Sequence, residues 1–260
     1  SYLLTAPASS VLYKLLSPKK LSFGRTTVVH YGSSFANRLL PGGLGALSVG
    51  YLYLRRQRCM QPEAIAVVTL NNMLGFAGHA VLLTIVLLFM PLSLHGGKFT
   101  FTFNTELIAA FVIGAGLLLL AYVLVRHVWK RFVHVLSATW QQLQNYRNKK
   151  WRLGAALGVS MCLTLLYALC LWASSRALHI DVNLAQAVVI LAVGVGLGAA
   201  VPLPGGLGGA EAGLVVGLLA FHVPADGAIA VAILYRLATY WLGFMVGAVA
   251  FFVCEKRAYF

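Results

Sequence analysis

Three charged residues stand inside stretches that are otherwise apolar or small: Arg38 in "FANRLLPGG", Glu211 in "GGLGGAEAGLVVG" and Arg236 in "VAILYRLATYW". A charge surrounded by hydrocarbon is costly and persists where it pairs or binds something. Glu211 and Arg236 can form an ion pair, either as a structural clip between two segments or as part of a site. That leaves Arg38 for an anion, and in a membrane the natural anion is a lipid phosphate. Tyr235 adjoins Arg236, and Tyr240 lies one helical turn beyond it on the same face, able to hydrogen-bond a headgroup or to pack. Asn37, Asn71 and Asn72 either line the same cavity or bond between helices. His30 and His79 also fall in apolar segments, but no ligand spacing links them to a metal site, and no metal or other cofactor is expected. No phosphate-binding loop of the nucleotidase type, GxSxG, HExxH or carboxylate cluster is present.

Arg38 and Glu211 flank the same pentapeptide, PGGLG, which occurs at Pro41 to Gly45 and again at Pro204 to Gly208. In both copies a leucine precedes it, a short apolar piece follows, a proline comes next, and a long apolar helix carries polar residues near its start: Asn71 and Asn72 in one, Tyr235 and Arg236 in the other. This is an internal repeat of architecture. The pieces around each motif, 24–40 with 46–58 and 183–201 with 209–221, are marginal for crossing a hydrocarbon core of about 30 Å. A hairpin that enters the membrane and returns fits them. Its tip needs a proline to stop one helix and glycines to turn, which assigns Pro41, Gly42, Gly43, Gly45, Pro204, Gly205, Gly206 and Gly208 to tips or hinges. The alternative is that such glycines only let helices pack closely, as at Gly209, Gly213 and Gly217.

Composition sets the solvent for all of this. Apolar residues make up 60% of the 260 and charged ones only 10%, which no soluble domain of this length matches. The chain reads as a single integral membrane domain, 1–260, with repeat unit one at about 22–90, central helices within 104–175 and repeat unit two at about 183–254. Long spans are expected at 62–90, 104–129, 151–172 and 225–253, with a basic amphipathic surface segment at 130–150. The fold class is therefore an all-α polytopic membrane protein: an inverted repeat of re-entrant helical hairpin plus transmembrane helix, with two further transmembrane helices between. The opening stretch "YLLTAPASSVLYKLL" is short and interrupted, so a further helix upstream is expected.

The excess of 20 Lys and Arg over 6 Asp and Glu does not indicate nucleic acid, because the basic residues cluster where apolar runs end. Counting crossings from a cytoplasmic first hairpin puts every basic residue on the cytoplasmic side except Lys98 and Arg176 outside and Arg38 and Arg236 within the membrane. The C-terminus is then cytoplasmic, and the two Gly-rich tips approach each other from opposite faces, as in secondary transporters. Two full crossings in place of each hairpin give the same parity. The four cysteines show no paired spacing and read as packing residues.

The segment "PLPGGLGGAEAGLVVGLLAFHVPADGAIAVAILYRLATYWLGF" resembles the C-terminal signature of the lysylphosphatidylglycerol synthase transmembrane-region family at Pro204, Gly205, Gly206, Leu207, Gly208, Glu211, Tyr235 and Arg236. "NRLLPGGLGALSVGYLYLRR" is similar to that family's N-terminal motif. The resemblance runs from about residue 20 to the end and implies a flippase-like protein of a bacterial inner membrane. In bifunctional relatives a comparable domain moves an aminoacylated phosphatidylglycerol that a soluble domain makes, and no such synthase domain lies in this sequence. Asn71 and Asn72 depart from the pattern, standing where a charge would be sought. The expected function is transport of an anionic or aminoacylated phospholipid, or a lipid-linked intermediate, by a non-enzyme whose partners are membrane lipids. A homo-oligomer or a partner lipid-modifying enzyme is left open. The alternatives are a membrane-embedded lipid-linked transferase, a small-solute or ion transporter, and a non-transporting helper.

Overall fold

The computed structural model describes residues 2–40, 43–89, 150–200 and 203–260, and every element among them is helical. A short turn at Tyr2–Leu4 leads into α1 (Thr5–Leu16), followed by α2 (Phe23–Leu39), α3 (Leu44–Arg56) and α4 (Gln61–Phe89). Then come α5 (Lys150–Ala177), α6 (Leu184–Ala200), a turn at Pro204–Gly206, α7 (Gly209–Ala220), α8 (Ala225–Arg236), a π-helical turn at Leu237–Trp241, and α9 (Leu242–Lys256). The expected span 104–129 and the surface segment 130–149 lie outside the described residues, as do Pro41 and Gly42.

Three helices are long and apolar enough to cross a membrane: Gln61–Phe89, Trp151–Ala177 and the continuous run Ala225–Lys256. Their outward faces carry Phe76, Phe89, Met245, Val249 and Phe252, a surface that is a liability in water and a solvation layer in lipid. Hydroxyl-bearing residues inside the helices turn back on their own chain: Thr26 donates to the Ser22 carbonyl, Ser33 to His30, Ser34 to Tyr31, and Ser174 to Cys170. That satisfies them without water.

Helix ends follow local chemistry. Asn183 and Gln186 cap the start of α6 reciprocally, at 2.8 and 2.9 Å, and the Glu63 carboxylate accepts from the Met60 N–H just ahead of α4. Leu40 and Leu203 are both extended, the conformation a following proline imposes. After each proline the chain turns through left-handed glycines, Gly43 in the first motif and Gly205, Gly206 and Gly208 in the second.

These turns fold α2 on α3 and α6 on α7 as antiparallel helical hairpins. In the second, a Cβ at Gly213 would lie 2.7 Å from the Gly194 Cα and 2.8 Å from the Val193 carbonyl oxygen, so backbone meets backbone. Gly198 opposes Ala210 and Gly217 opposes Ile190 along the same seam. In the first, Gly45 packs directly on the Ala36 carbonyl, and Thr26 meets the Tyr53 hydroxyl at 2.8 Å lower down. Gly45 thus serves close packing inside the hairpin, in the first turn of α3. Gly45→Ala would place a methyl group inside the envelope of Ala36 backbone atoms that cannot move independently. It should cost about 1–3 kcal/mol, read as a lower unfolding temperature in detergent.

The first hairpin lies along α9: Gly32 packs on Phe251 and Gly247 on the Tyr31 carbonyl and Phe35. Two buried clusters result. One joins α1, α2, α3 and the start of α4 through Leu16, Tyr53, Leu54 and Val67, with Leu153 and Tyr259 against it; Cys59 and Cys254 are packed there, and burial pushes the Cys59 thiol up. The other joins α5 to α8 through Leu171, Val182, Leu214 and Val231. Helix ends around the first cluster carry Lys14, Arg25, Arg55, Arg56, Arg152, Lys256 and Arg257, with Lys14 over Phe23 and Arg25 over Tyr259. The far end carries Arg176, paired with Asp181 at 2.6 Å.

The last helix differs from the sequence expectation. It is not one regular helix from 225 to 253 but is widened by a π turn immediately after Arg236, and it continues to Lys256. The opening stretch forms a packed helix, α1, against α2, α4 and α5.

Candidate functional site

Arg38 occupies the last turn of α2, where the chain is about to break at the first motif, and its guanidinium reaches across to the last helix. Nη1 donates to the Ser34 carbonyl at 2.6 Å; Nη2 donates to the Tyr2 hydroxyl at 2.7 Å and to the Thr239 carbonyl at 2.8 Å. All three acceptors are neutral. The third acceptor lies in the π turn Leu237–Trp241, and such turns recur at functional sites.

Arg236 closes the second half. Its Nε donates to Glu211 Oε1 at 2.6 Å, and its Nη2 donates to the Gly205 carbonyl at 3.3 Å. Glu211 sits in the first turn of α7, where the helix dipole favours a carboxylate. One guanidinium therefore holds both the tip of the second hairpin and the helix that leaves it. Its side chain is 13% exposed and that of Glu211 31%, so the pair lies mostly out of solvent. Oε2 of Glu211 is buried and has no hydrogen-bond partner among the described residues.

Tyr240 joins the two halves. The Arg236 guanidinium lies 4.4 Å from its ring centroid and that of Arg38 5.4 Å, so one buried aromatic ring is shared by two cations. Gly205 packs against the same ring, where any side chain would collide with it. Among the described residues the ion pairs are Arg176–Asp181 and Arg236–Glu211. Arg38 pairs with no carboxylate among the described residues, and the cluster of Arg38, Arg236 and Glu211 carries a net charge of +1.

Arg38, Arg236, Tyr240 and Gly205 line a cavity of about 440 Å³ together with Ser34, Asn37, Tyr167, Gly206 and Tyr235, while Glu211 stands behind Arg236. Asn37 also bridges the first motif, its Oδ1 accepting a long bond of 3.5 Å from the Ala46 N–H at the start of α3. The N-cap glycines of α3 and α7 supply no side-chain cap, so apart from the Ala46 N–H the first-turn donors of both helices lack an intrahelical partner near the turns. An anion fits this arrangement: two cations, further donors and, among the described residues, no carboxylate paired with Arg38.

Asn71 and Asn72 lie elsewhere. They line a neighbouring cavity of about 690 Å³ between α4, α5 and α6, and Asn72 spends its amide on the Val68 carbonyl of its own helix. In that wall His79 Nε2 and Ser160 Oγ are buried without partners among the described residues. The cavities share Tyr167, Leu191, Val195 and Tyr235. His30 stacks edge-on against Tyr13 in the first core, away from both cavities. Of the tip residues, Gly205 and Gly206 line the polar cavity; Gly43, Gly45, Pro204 and Gly208 shape the turns and their flanks.

Sequence reasoning missed Tyr2, Ser34, Tyr167 and Thr239. Only Ser34 carried a local signal, four residues before Arg38 on the same helix face. Compared with curated proteins and with solved structures, the chain finds no match. The model of the family described as lysylphosphatidylglycerol synthase TM region matches residues 2–247, nearly the whole chain including both hairpins and both arginines, and the protein belongs to that family.

Proposed function

We propose that this protein moves a phospholipid bearing an anionic phosphate across the bilayer, binding the headgroup at Arg38 beside the Arg236–Glu211 pair. The observation that carries the reading is the half-buried Arg38 guanidinium, which among the described residues meets only neutral acceptors and shares the Tyr240 ring with a second cation. An isolated cation in a low-dielectric site is costly, and an anionic ligand offsets that cost. Membership of a family named for the membrane region of a lipid-modifying synthase supports lipid handling. On this reading the two hairpins are re-entrant halves of an inverted repeat that rock about their glycine turns, and the end rich in Lys and Arg is cytoplasmic, as is the C-terminus. The chain acts as a transporter with no catalytic residue of its own, and the aminoacylated or plain headgroup is chosen by contacts beyond the phosphate.

The test is transbilayer movement of labelled phospholipids in proteoliposomes, using phosphatidylglycerol, its aminoacylated form, phosphatidylcholine and an uncharged diacylglycerol. Phosphate-bearing lipids should move and diacylglycerol should gain nothing over protein-free vesicles. Uptake of a water-soluble anion with no lipid movement would transfer the site to a small-solute transporter. Product formation from an added donor would make it a transferase.

A further inference from the structure

The phosphate reading accounts for the polar cavity and leaves the larger one unexplained. That second cavity is walled by α4, α5 and α6, is predominantly apolar, and meets the polar cavity at Tyr167, Leu191, Val195 and Tyr235. At about 690 Å³ it is as large as an ordinary small-molecule site. Its floor is held open by two helical glycines, Gly75 on α4 and Gly196 on α6. A Cβ at either would find no atom of the described residues within 4 Å. Glycine lowers helix stability relative to alanine by about 1 kcal/mol, and neither position needs its small size for packing against another described helix. What the two glycines preserve, among the described residues, is open space beside the proposed anion site.

We infer that the α4–α5–α6 cavity is the tail subsite of the same ligand: it takes one hydrocarbon chain of an anionic amphiphile whose phosphate sits at Arg38. This rests on the phosphate reading and extends it from a headgroup to a whole amphiphile. The shared wall of Tyr167 and Tyr235 suits the junction, since each presents an aromatic body to a chain and a polar edge to a headgroup. Asn71 and Asn72 then stand along the chain's path rather than on the phosphate.

The probes are n-alkyl phosphates from ethyl to dodecyl, titrated calorimetrically below their micelle concentrations into the full chain in an amphipathic polymer, with a polymer-only blank. In the wild type the affinity should rise with chain length, by up to about fourfold per added methylene, and level off when the cavity is full. Gly75→Leu and Gly196→Leu grow side chains into open space, so both variants should fold. They should bind ethyl phosphate as the wild type does and lose the rise with length. Arg38→Gln should weaken every member of the series alike. Ethyl phosphate binding with a chain-length rise that persists in both leucine variants overturns the tail subsite and spares the headgroup site. Absence of binding by any member of the series overturns both.

Discussion

Arg38→Gln should reduce transbilayer movement of anionic phospholipid by at least tenfold while the protein remains folded. Hydrogen bonds from a charged donor contribute about 1.5–3 kcal/mol, which corresponds to roughly 10- to 100-fold in ligand affinity. The bonds that Arg38 now makes go to Ser34, Tyr2 and Thr239, all neutral, so removing its charge strands no buried carboxylate. Glutamine retains one amide donor for the Thr239 carbonyl and leaves the hairpin seam at Gly45 untouched. Arg38→Lys is the informative companion. It restores the charge, but a single ammonium cannot serve Tyr2 and Thr239 together while laying a plane on Tyr240. Its rate should fall between wild type and Arg38→Gln. Wild-type movement by a folded Arg38→Gln would remove Arg38 from the ligand site and with it the central support for lipid transport.

Legibility in the sequence divides along covalent distance. Helix positions followed from apolar length and proline stops: the expected pieces 24–40 and 46–58 correspond to Phe23–Leu39 and Leu44–Arg56, and 183–201 to Leu184–Ala200. The Glu211–Arg236 pair was legible because a hairpin second arm and the next span are forced together by one short connection. Tyr240 was legible from its one-turn spacing to Arg236, although its sharing by Arg38 was not. Tyr2 and Thr239 were invisible for a physical reason. Arg38 meets them across 36 and 201 residues of chain, and the Thr239 contact uses a backbone carbonyl within a π turn, which no side-chain pattern announces. Asn71 and Asn72 sit in the corresponding position of the first repeat, yet their helix faces the other cavity. Similar order in two sequence units placed matching elements and did not by itself give matching site walls.

Breaking the Glu211–Arg236 pair should have the larger effect on stability, and the form of the loss distinguishes a clip from a ligand site. Removing one partner of a buried pair costs about 3–5 kcal/mol; with Glu211 about a third exposed, roughly half of that is expected for Glu211→Gln. Arg236→Met should also destabilise, because it takes the donor from the Gly205 carbonyl at the second tip and leaves Glu211 without any cation. The double variant Glu211→Gln/Arg236→Met removes both charges, so its unfolding temperature should recover to above that of either single variant; strictly additive losses would deny the coupling. Lipid movement then supplies the second axis. If the pair only fastens α7 to the last helix, the double variant regains transport along with stability. If Arg236 also meets the phosphate, stability returns and transport does not, since the Tyr240 ring would then carry one cation where the wild type stacks two. The second pattern is the one expected, because a guanidinium engaged through Nε and one Nη still has donors to turn toward the cavity that Arg38 shares.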